Sequence, residues 1–222
     1  MKLAILLSGG KDSLYAAYLA KKEGNELTCA ITINSKNKDS FMFHTPAIEK
    51  TKAQAESIGI PIIIEDTEGK KEDELKDLEN AIKKAIKEYE VEGITTGAIR
   101  SVYQAERIQK ICDKLNIKCI NPLWQKEEIQ YLNELIESKF EVIITAVAAY
   151  PLNESWLGKQ IDKNYIEEIL PLVEKYKIHP AGEGGEIETF VLNCPLFKTL
   201  LKVKNKKISG ENNAWRMDIE LE

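Results

Sequence analysis

Ser8-Gly9-Gly10-Lys11-Asp12-Ser13 brings two hydroxyls, two glycines, a cation and a carboxylate together in six consecutive residues. The apolar run Leu3 to Leu7 before it is short enough for a buried strand, and Leu14, Ala17 and Tyr18 follow at helical spacing. A strand, a tight turn and a helix N-terminus in that order aim backbone N–H groups and the positive end of a helix dipole at one point. That point favours an anion. Gly9 and Gly10 carry no Cβ and let the backbone approach a phosphate closely. Ser8 and Ser13 add hydroxyl donors and Lys11 a positive charge. The plainer reading of the same residues is an ordinary strand-to-helix turn capped by Ser or Asp. The pattern G-x-x-x-x-G-K-[ST] cannot be laid onto these residues, so the stretch is not a Walker A loop.

Two further stretches carry polar chemistry. Gly97-Ala98-Ile99-Arg100-Ser101-Val102-Tyr103-Gln104-Ala105-Glu106-Arg107 begins at an expected strand end and runs into a helix, where Tyr103 and Arg107, four apart, share a face. Ala181-Gly182-Glu183-Gly184-Gly185-Glu186-Ile187-Glu188-Thr189 gathers three glycines and three carboxylates, poor material for a core and costly to order. Oxygen ligands of this kind suit Mg²⁺ or a cationic substrate group. An acidic hairpin turn in water is the competing reading.

The elements that must position these residues alternate. Strands are expected at 27–33, 61–64, 94–97, 117–120 and 142–147, with amphipathic helices between them. The clearest helix runs through Leu75, Leu78, Ile82, Ile86 and Tyr89. This alternation predicts an α/β fold, a doubly wound, mostly parallel sheet over residues 1–150. Ligands in such sheets lie beyond the carboxyl ends of the strands, which gathers the loops after residues 7, 33, 96, 120 and 147 on one rim. Past Tyr150-Pro151 the pattern changes to a helix over 165–176, expected to kink or divide at Pro171, and strands at 187–194, 196–204 and 215–221. Residues 151–222 therefore read as a smaller α+β region.

Of the 222 residues 43% are hydrophobic and 30% charged, ordinary proportions for a protein with a real core. The net charge of −5 argues against a general nucleic-acid partner. No apolar stretch approaches the roughly 18 residues of a membrane helix, and no signal peptide is visible, so a cytoplasmic location is expected. Cys29, Cys112, Cys119 and Cys194 form no C-x-x-C pair or metal-ligand spacing and read as buried free thiols.

The Ser8–Ser13 loop resembles that of the ATP pyrophosphatase (PP-loop) family, which grips the β- and γ-phosphates of ATP and cuts between α and β. The chain as a whole resembles one branch of it, the diphthine–ammonia ligases. That resemblance rests on Ser8–Ser13, the Ser40-Phe41-Met42-Phe43-His44 loop, Gly97–Arg107, Pro122-Leu123-Trp124, Trp156-Leu157-Gly158 and Gly182–Thr189 followed by Phe190-Val191. Lys159 and Asn193 depart from it, standing where Arg and Asp are common.

The resemblance implies amidation of the diphthine carboxylate on translation elongation factor 2, with ATP, Mg²⁺ and ammonia, through an acyl-adenylate. It further implies that Ser8, Gly9, Gly10, Lys11 and Ser13 hold pyrophosphate, and that Asp12 fixes the loop or places Mg²⁺. Ser35, His44, Gly97, Ala98 and Ile99 would contact adenosine. Tyr103, Gln104, Arg107, Trp124, Trp156, Gly182, Glu183, Gly185 and Thr189 would meet the substrate side chain. Glu186 and Glu188 join Asp12 as expected catalytic carboxylates. A tRNA-modifying PP-loop enzyme and a non-catalytic nucleotide sensor are the competing functions. The oligomeric state is not legible in the sequence.

Overall fold

The computed structural model describes residues 1–35, 48–68 and 73–222. Two compact units divide the chain, Met1–Trp124 and Gln125–Glu222.

The first unit is a parallel sheet with helices between its strands: β1 (Lys2–Leu6), α1 (Lys11–Lys22), β2 (Glu26–Ser35), α2 (Ile48–Ile58), β3 (Ile62–Thr67), α3 (Asp73–Tyr89), β4 (Gly93–Thr95), α4 (Val102–Leu115) and β5 (Lys118–Ile120). Its strand order is β3-β2-β1-β4-β5, every neighbouring pair parallel. The chain winds outward from β1 through β2 to β3, then returns to the other side of β1 for β4 and β5. That reversal places a topological switch point between β1 and β4, where sheets of this kind bind ligands. β1 is central and its Leu3, Ala4 and Ile5 are fully buried, which explains its uninterrupted apolar run. On α3 the residues Leu78, Ala81, Ile82 and Ala85 are buried in a cluster with Ala4, Ile31 and Ile94, as its sequence periodicity predicts.

The second unit holds α5 (Glu128–Glu137), β6 (Glu141–Ala148), α6 (Lys163–Tyr176), β7 (Ile187–Asn193), β8 (Val203–Glu211) and β9 (Ala214–Leu221), with a short 3₁₀ turn at Glu154–Trp156. Its sheet has the order β7-β6-β9-β8 and is antiparallel throughout.

Three sequence expectations change here. β6 is not the sixth strand of the parallel sheet but a central strand of the second, so the units part at Trp124/Gln125 rather than at 150. The cause of the misreading is physical: Val142, Ile143, Ile144, Ala146 and Val147 are buried, and a strand buried on both faces shows the same apolar run in either kind of sheet. The strand expected at 196–204 lies instead at Val203–Glu211, almost wholly exposed. Pro171 does not divide its helix, for α6 runs through it, capped at its start by the Asp162 carboxylate accepting from Tyr165 N at 2.9 Å.

Candidate functional site

The Ser8–Ser13 turn stands at the end of β1, on the switch point. Gly10 occupies the cap position of α1 with no side chain capping it, and Gly9 has φ +86°. The turn is braced from within. Ser13 Oγ donates to Gly10 O at 3.1 Å and accepts from Ser8 Oγ at 3.1 Å and Ser8 N at 3.4 Å. The hydroxyl of Ser13 thus organises the loop, while Ser8 is the exposed one of the pair. Lys11 is 3% exposed, and its ammonium meets the Asp12 carboxylate at 3.0 Å, so a buried cation and a half-buried anion sit in the first turn of α1.

Two neighbours shape this turn. From α2, buried Gln54 donates Nε2 to Gly9 O at 3.0 Å. From the far side of the switch point, Gly97 presses directly on α1. A Cβ built at Gly97 would lie 2.5 Å from the Asp12 carbonyl carbon and 2.6 Å from Ser13 N. Real Cβ atoms do not tolerate such a contact, and the glycine is what lets the two loops of the switch point meet.

The other residues expected to contact nucleotide fall around this crevice in different ways. Ser35 ends β2 and is buried, its hydroxyl donating to Glu74 Oε1 at 3.3 Å. It belongs to the strand rather than to the loop beyond it. Ala98 and Ile99 are buried, so only their backbone is available to a ligand; Ala98 N donates to Thr96 Oγ1 at 3.2 Å. His44 lies outside the described residues, as does the rest of the 40–44 motif.

On α4, Ser101 caps the helix by accepting from Gln104 N at 3.4 Å. Arg107 folds back on its own helix: its guanidinium carbon lies 3.5 Å from the Tyr103 ring centroid and Nη1 donates to Tyr103 O at 3.2 Å. Tyr103 also packs on the core cluster beneath. Trp124, in the turn after β5, is 36% exposed.

The glycine-rich acidic loop is a knotted turn rather than a free hairpin. His179 Nδ1 accepts from Ala181 N at 3.2 Å and from Glu183 N at 3.3 Å. That puts the ring proton on Nε2, which stands 3.3 Å from Glu128 Oε1. The Glu186 carboxylate accepts from His179 N at 3.2 Å and Gly184 N at 2.9 Å. Gly182 has φ +72° and packs against Ile187 O, 2.6 Å from where its Cβ would be. Gly185 closes the turn by donating its N–H to Gly182 O at 3.1 Å.

Beneath this loop, the buried Tyr165 hydroxyl donates to Pro180 O at 2.6 Å. Burial pushes that phenol above its ordinary pKa, and the Glu186 carboxylate adds to the effect. Glu188 and Thr189 lie on β7, with Glu188 3.8 Å from the Arg216 guanidinium. Trp156 is 7% exposed, edge-on to Tyr165, and Lys159 Nζ lies 4.5 Å above its ring while also pairing with Glu168. Trp156, expected to meet the substrate side chain, therefore already carries a cation of the protein on its ring.

Sequence reading passed over Gln54 and His179. Gln54 is a polar residue on the inward face of α2 beside Thr51, Ala55 and Ile58, and that misfit was the available signal. His179 stands directly before Pro180 and the glycines, with no periodic context to single it out.

A crevice at a parallel-sheet switch point, lined by a glycine turn and an uncapped helix N-terminus, defines a phosphate-binding α/β protein. The diphthamide synthase N-terminal domain matches residues 1–119 and the diphthamide synthase C-terminal domain residues 127–221. A Bos taurus protein named diphthine–ammonia ligase is 34% identical over 94% of this chain and 85% of its own. One of the same name from Schizosaccharomyces pombe is 33% identical over 95% of this chain and 38% of its own length. Among solved structures, a predicted subunit of tRNA methyltransferase from Methanocaldococcus jannaschii aligns with TM-score 0.45 and 18% identity over 88% of this chain and 98% of that one. The chain belongs to the diphthamide synthase family, and it is an enzyme of the ligase class.

Proposed function

We propose that this enzyme uses ATP and ammonia to amidate the carboxylate of diphthine on translation elongation factor 2. A carboxylate cannot be displaced by ammonia directly, because its leaving group would be oxide. Attack of a carboxylate oxygen on the α-phosphorus of ATP expels pyrophosphate and gives an acyl-adenylate. Ammonia then adds to the carbonyl carbon, and AMP leaves as the amide forms. The protein's share of this chemistry is positioning and charge stabilisation.

The observation that carries the reading is the Ser8–Ser13 turn at the switch point, with Gly97 against the Asp12–Ser13 peptide. Its uncapped helix start, Gly9 conformation and buried Lys11 suit a polyphosphate. Mg²⁺ ordinarily takes one or two carboxylates and completes its shell with phosphate oxygens and water. Asp12, in the first turn of α1, fits that demand as its protein ligand. When bound, the ion neutralises charge on the departing pyrophosphate. The knotted 179–186 loop, with Glu188 and Thr189 after it, is the proposed seat of the substrate side chain.

The test is direct. Elongation factor 2 bearing diphthine is incubated with the enzyme, ATP, Mg²⁺ and an ammonium salt. Peptide mass spectrometry should show conversion of the carboxylate to the amide, and chromatography should show AMP and pyrophosphate in step with it. Stoichiometric ADP, or ATP held unchanged, would overturn the proposal.

A further inference from the structure

Five successive backbone N–H groups run through the acidic loop, from Ala181 to Gly185, and each has an acceptor. Three of the five end on one residue. Ala181 N and Glu183 N reach His179 Nδ1 at 3.2 and 3.3 Å, and Gly182 N donates to His179 O at 2.9 Å. The other two close on neighbours, Gly184 N on the Glu186 carboxylate at 2.9 Å and Gly185 N on Gly182 O at 3.1 Å. His179 also sends its own N–H to Glu186 Oε1 at 3.2 Å. The loop is thus wound about an imidazole, with Ile178 and Ala181 buried as its anchors.

The state of the ring follows from this winding. A nitrogen that accepts two N–H groups must keep its lone pair, so the imidazole is neutral with its proton on Nε2. At that other end Nε2 is buried without a hydrogen bond, and Glu128 Oε1 of α5 stands 3.3 Å from it. A carboxylate there favours the Nε2–H form and fixes which way the ring faces. A ring turned over about its own axis would present carbon to Ala181 and Glu183 and strand both N–H groups.

We propose that His179, oriented by Glu128 in its neutral Nε2–H form, is the positioning residue that sets the Glu183 and Glu186 carboxylates for the substrate side chain. This role rests on the reading of the acidic loop as the substrate seat. His179 touches none of the reacting atoms. Its ring fixes the backbone, and the backbone carries the carboxylates.

Substitution can test the two ring nitrogens one at a time. His179→Asn puts an amide oxygen near the place of Nδ1 and keeps an acceptor for the loop. His179→Gln reaches as far as Nε2 and leaves the N–H groups of Ala181 and Glu183 unmet. Steady-state amidation of diphthine-bearing elongation factor 2 is followed for the full chain and both variants. For His179→Gln, kcat/KM for the elongation factor should fall at least about tenfold with KM for ATP unchanged, and His179→Asn should recover most of that loss. Long-range proton–nitrogen spectra of the wild type at mildly alkaline pH should show His179 protonated on Nε2 alone. Amide exchange at Ala181 and Glu183 should quicken in His179→Gln and not in His179→Asn. A lowered melting temperature in both variants with unchanged kcat/KM would make the histidine purely structural and overturn the proposal, as would a proton on Nδ1. If the wild type itself fails to amidate, the amidation reading falls alone, and the nitrogen spectra and amide exchange still decide whether His179 sets the loop.

Discussion

Gly97 and Asp12 are in backbone contact: a Cβ on Gly97 would stand 2.5 Å from the Asp12 carbonyl carbon. The loop after β4 thus forms one wall of the crevice into which the first turn of α1 opens. Gly97→Ala must push these loops apart, and overpacking of this kind costs about 1–3 kcal/mol. The expected outcome is a lowered melting temperature together with at least a tenfold loss in kcat/KM for ATP, about 1.4 kcal/mol in the barrier. Steady-state rates over a range of ATP and thermal denaturation measure the two effects, and calorimetric titration reads the ATP affinity separately. Wild-type ATP affinity in this variant would remove Gly97 from the site.

Asp12 is half-buried beside the Lys11 ammonium, in the first turn of a helix. Asp12→Asn keeps its size while removing the charge that would meet a cation. Turnover should fall by more than about tenfold, with raised Mg²⁺ at the wild-type rate restoring little of it. The melting temperature should fall as well, since the substitution removes the carboxylate charge that faces the buried Lys11 ammonium. Mg²⁺-dependent rate curves for both proteins decide the matter.

Gln54 reaches the phosphate turn from α2, donating to Gly9 O at 3.0 Å from a buried position. Gln54→Leu preserves bulk and leaves that carbonyl without this donor. A buried acceptor stripped of its partner costs about 1–3 kcal/mol. Stability to urea should fall by that order, and ATP affinity should fall with it because Gly9 loses its anchor. A variant that binds ATP normally while losing stability would confine Gln54 to packing.

How much of this was legible in the sequence depends on what each residue had to signal. β1, its turn and α1 were readable because a buried parallel strand, glycines and a helical period follow one another within twenty residues. The α3 stripe was readable because Leu78, Ile82 and their neighbours repeat on one buried face. β6 was not, since a doubly buried strand carries no mark of its partners' direction. β8 was not either: its Lys, Asn and Ser residues are exposed along almost the whole strand, and only pairing with β9 defines it. Glu186 was legible as an unusual carboxylate but not in its task. Its two backbone donors come from His179 and Gly184, and only the folded turn brings them to it.

That task sets apart the three carboxylates of the acidic loop. Glu186→Gln leaves one oxygen where two accepted backbone N–H groups, so both the knot and amidation should weaken. A melting-temperature decrease equivalent to about 1–2 kcal/mol is expected alongside the loss of activity. Glu188→Gln removes the charge from a 3.8 Å contact with Arg216 at a partly exposed position, where an ion pair contributes little, so its stability should stay close to that of the wild type. If Glu188→Gln nonetheless loses amidation, its carboxylate acts on substrate. If both variants amidate normally, the substrate seat is elsewhere and Tyr103 with Arg107 is the next place to look.

The buried thiols give the fold an alkaline limit. Burial pushes Cys29 up to about 12 and Cys194 up to about 11, whereas in the unfolded chain each titrates near about 8.5. The folded state therefore holds these protons more tightly than the unfolded one. The associated stability is fully present below the unfolded value and is lost as pH rises toward the folded values. Urea midpoints should be flat from pH 7 to about 8.5 and decline steadily above it. Cys29→Ala should start lower, because the side chain is fully buried and leaves a gap, yet decline less steeply over the alkaline range. Parallel curves for the two proteins would show that Cys29 contributes nothing to the slope.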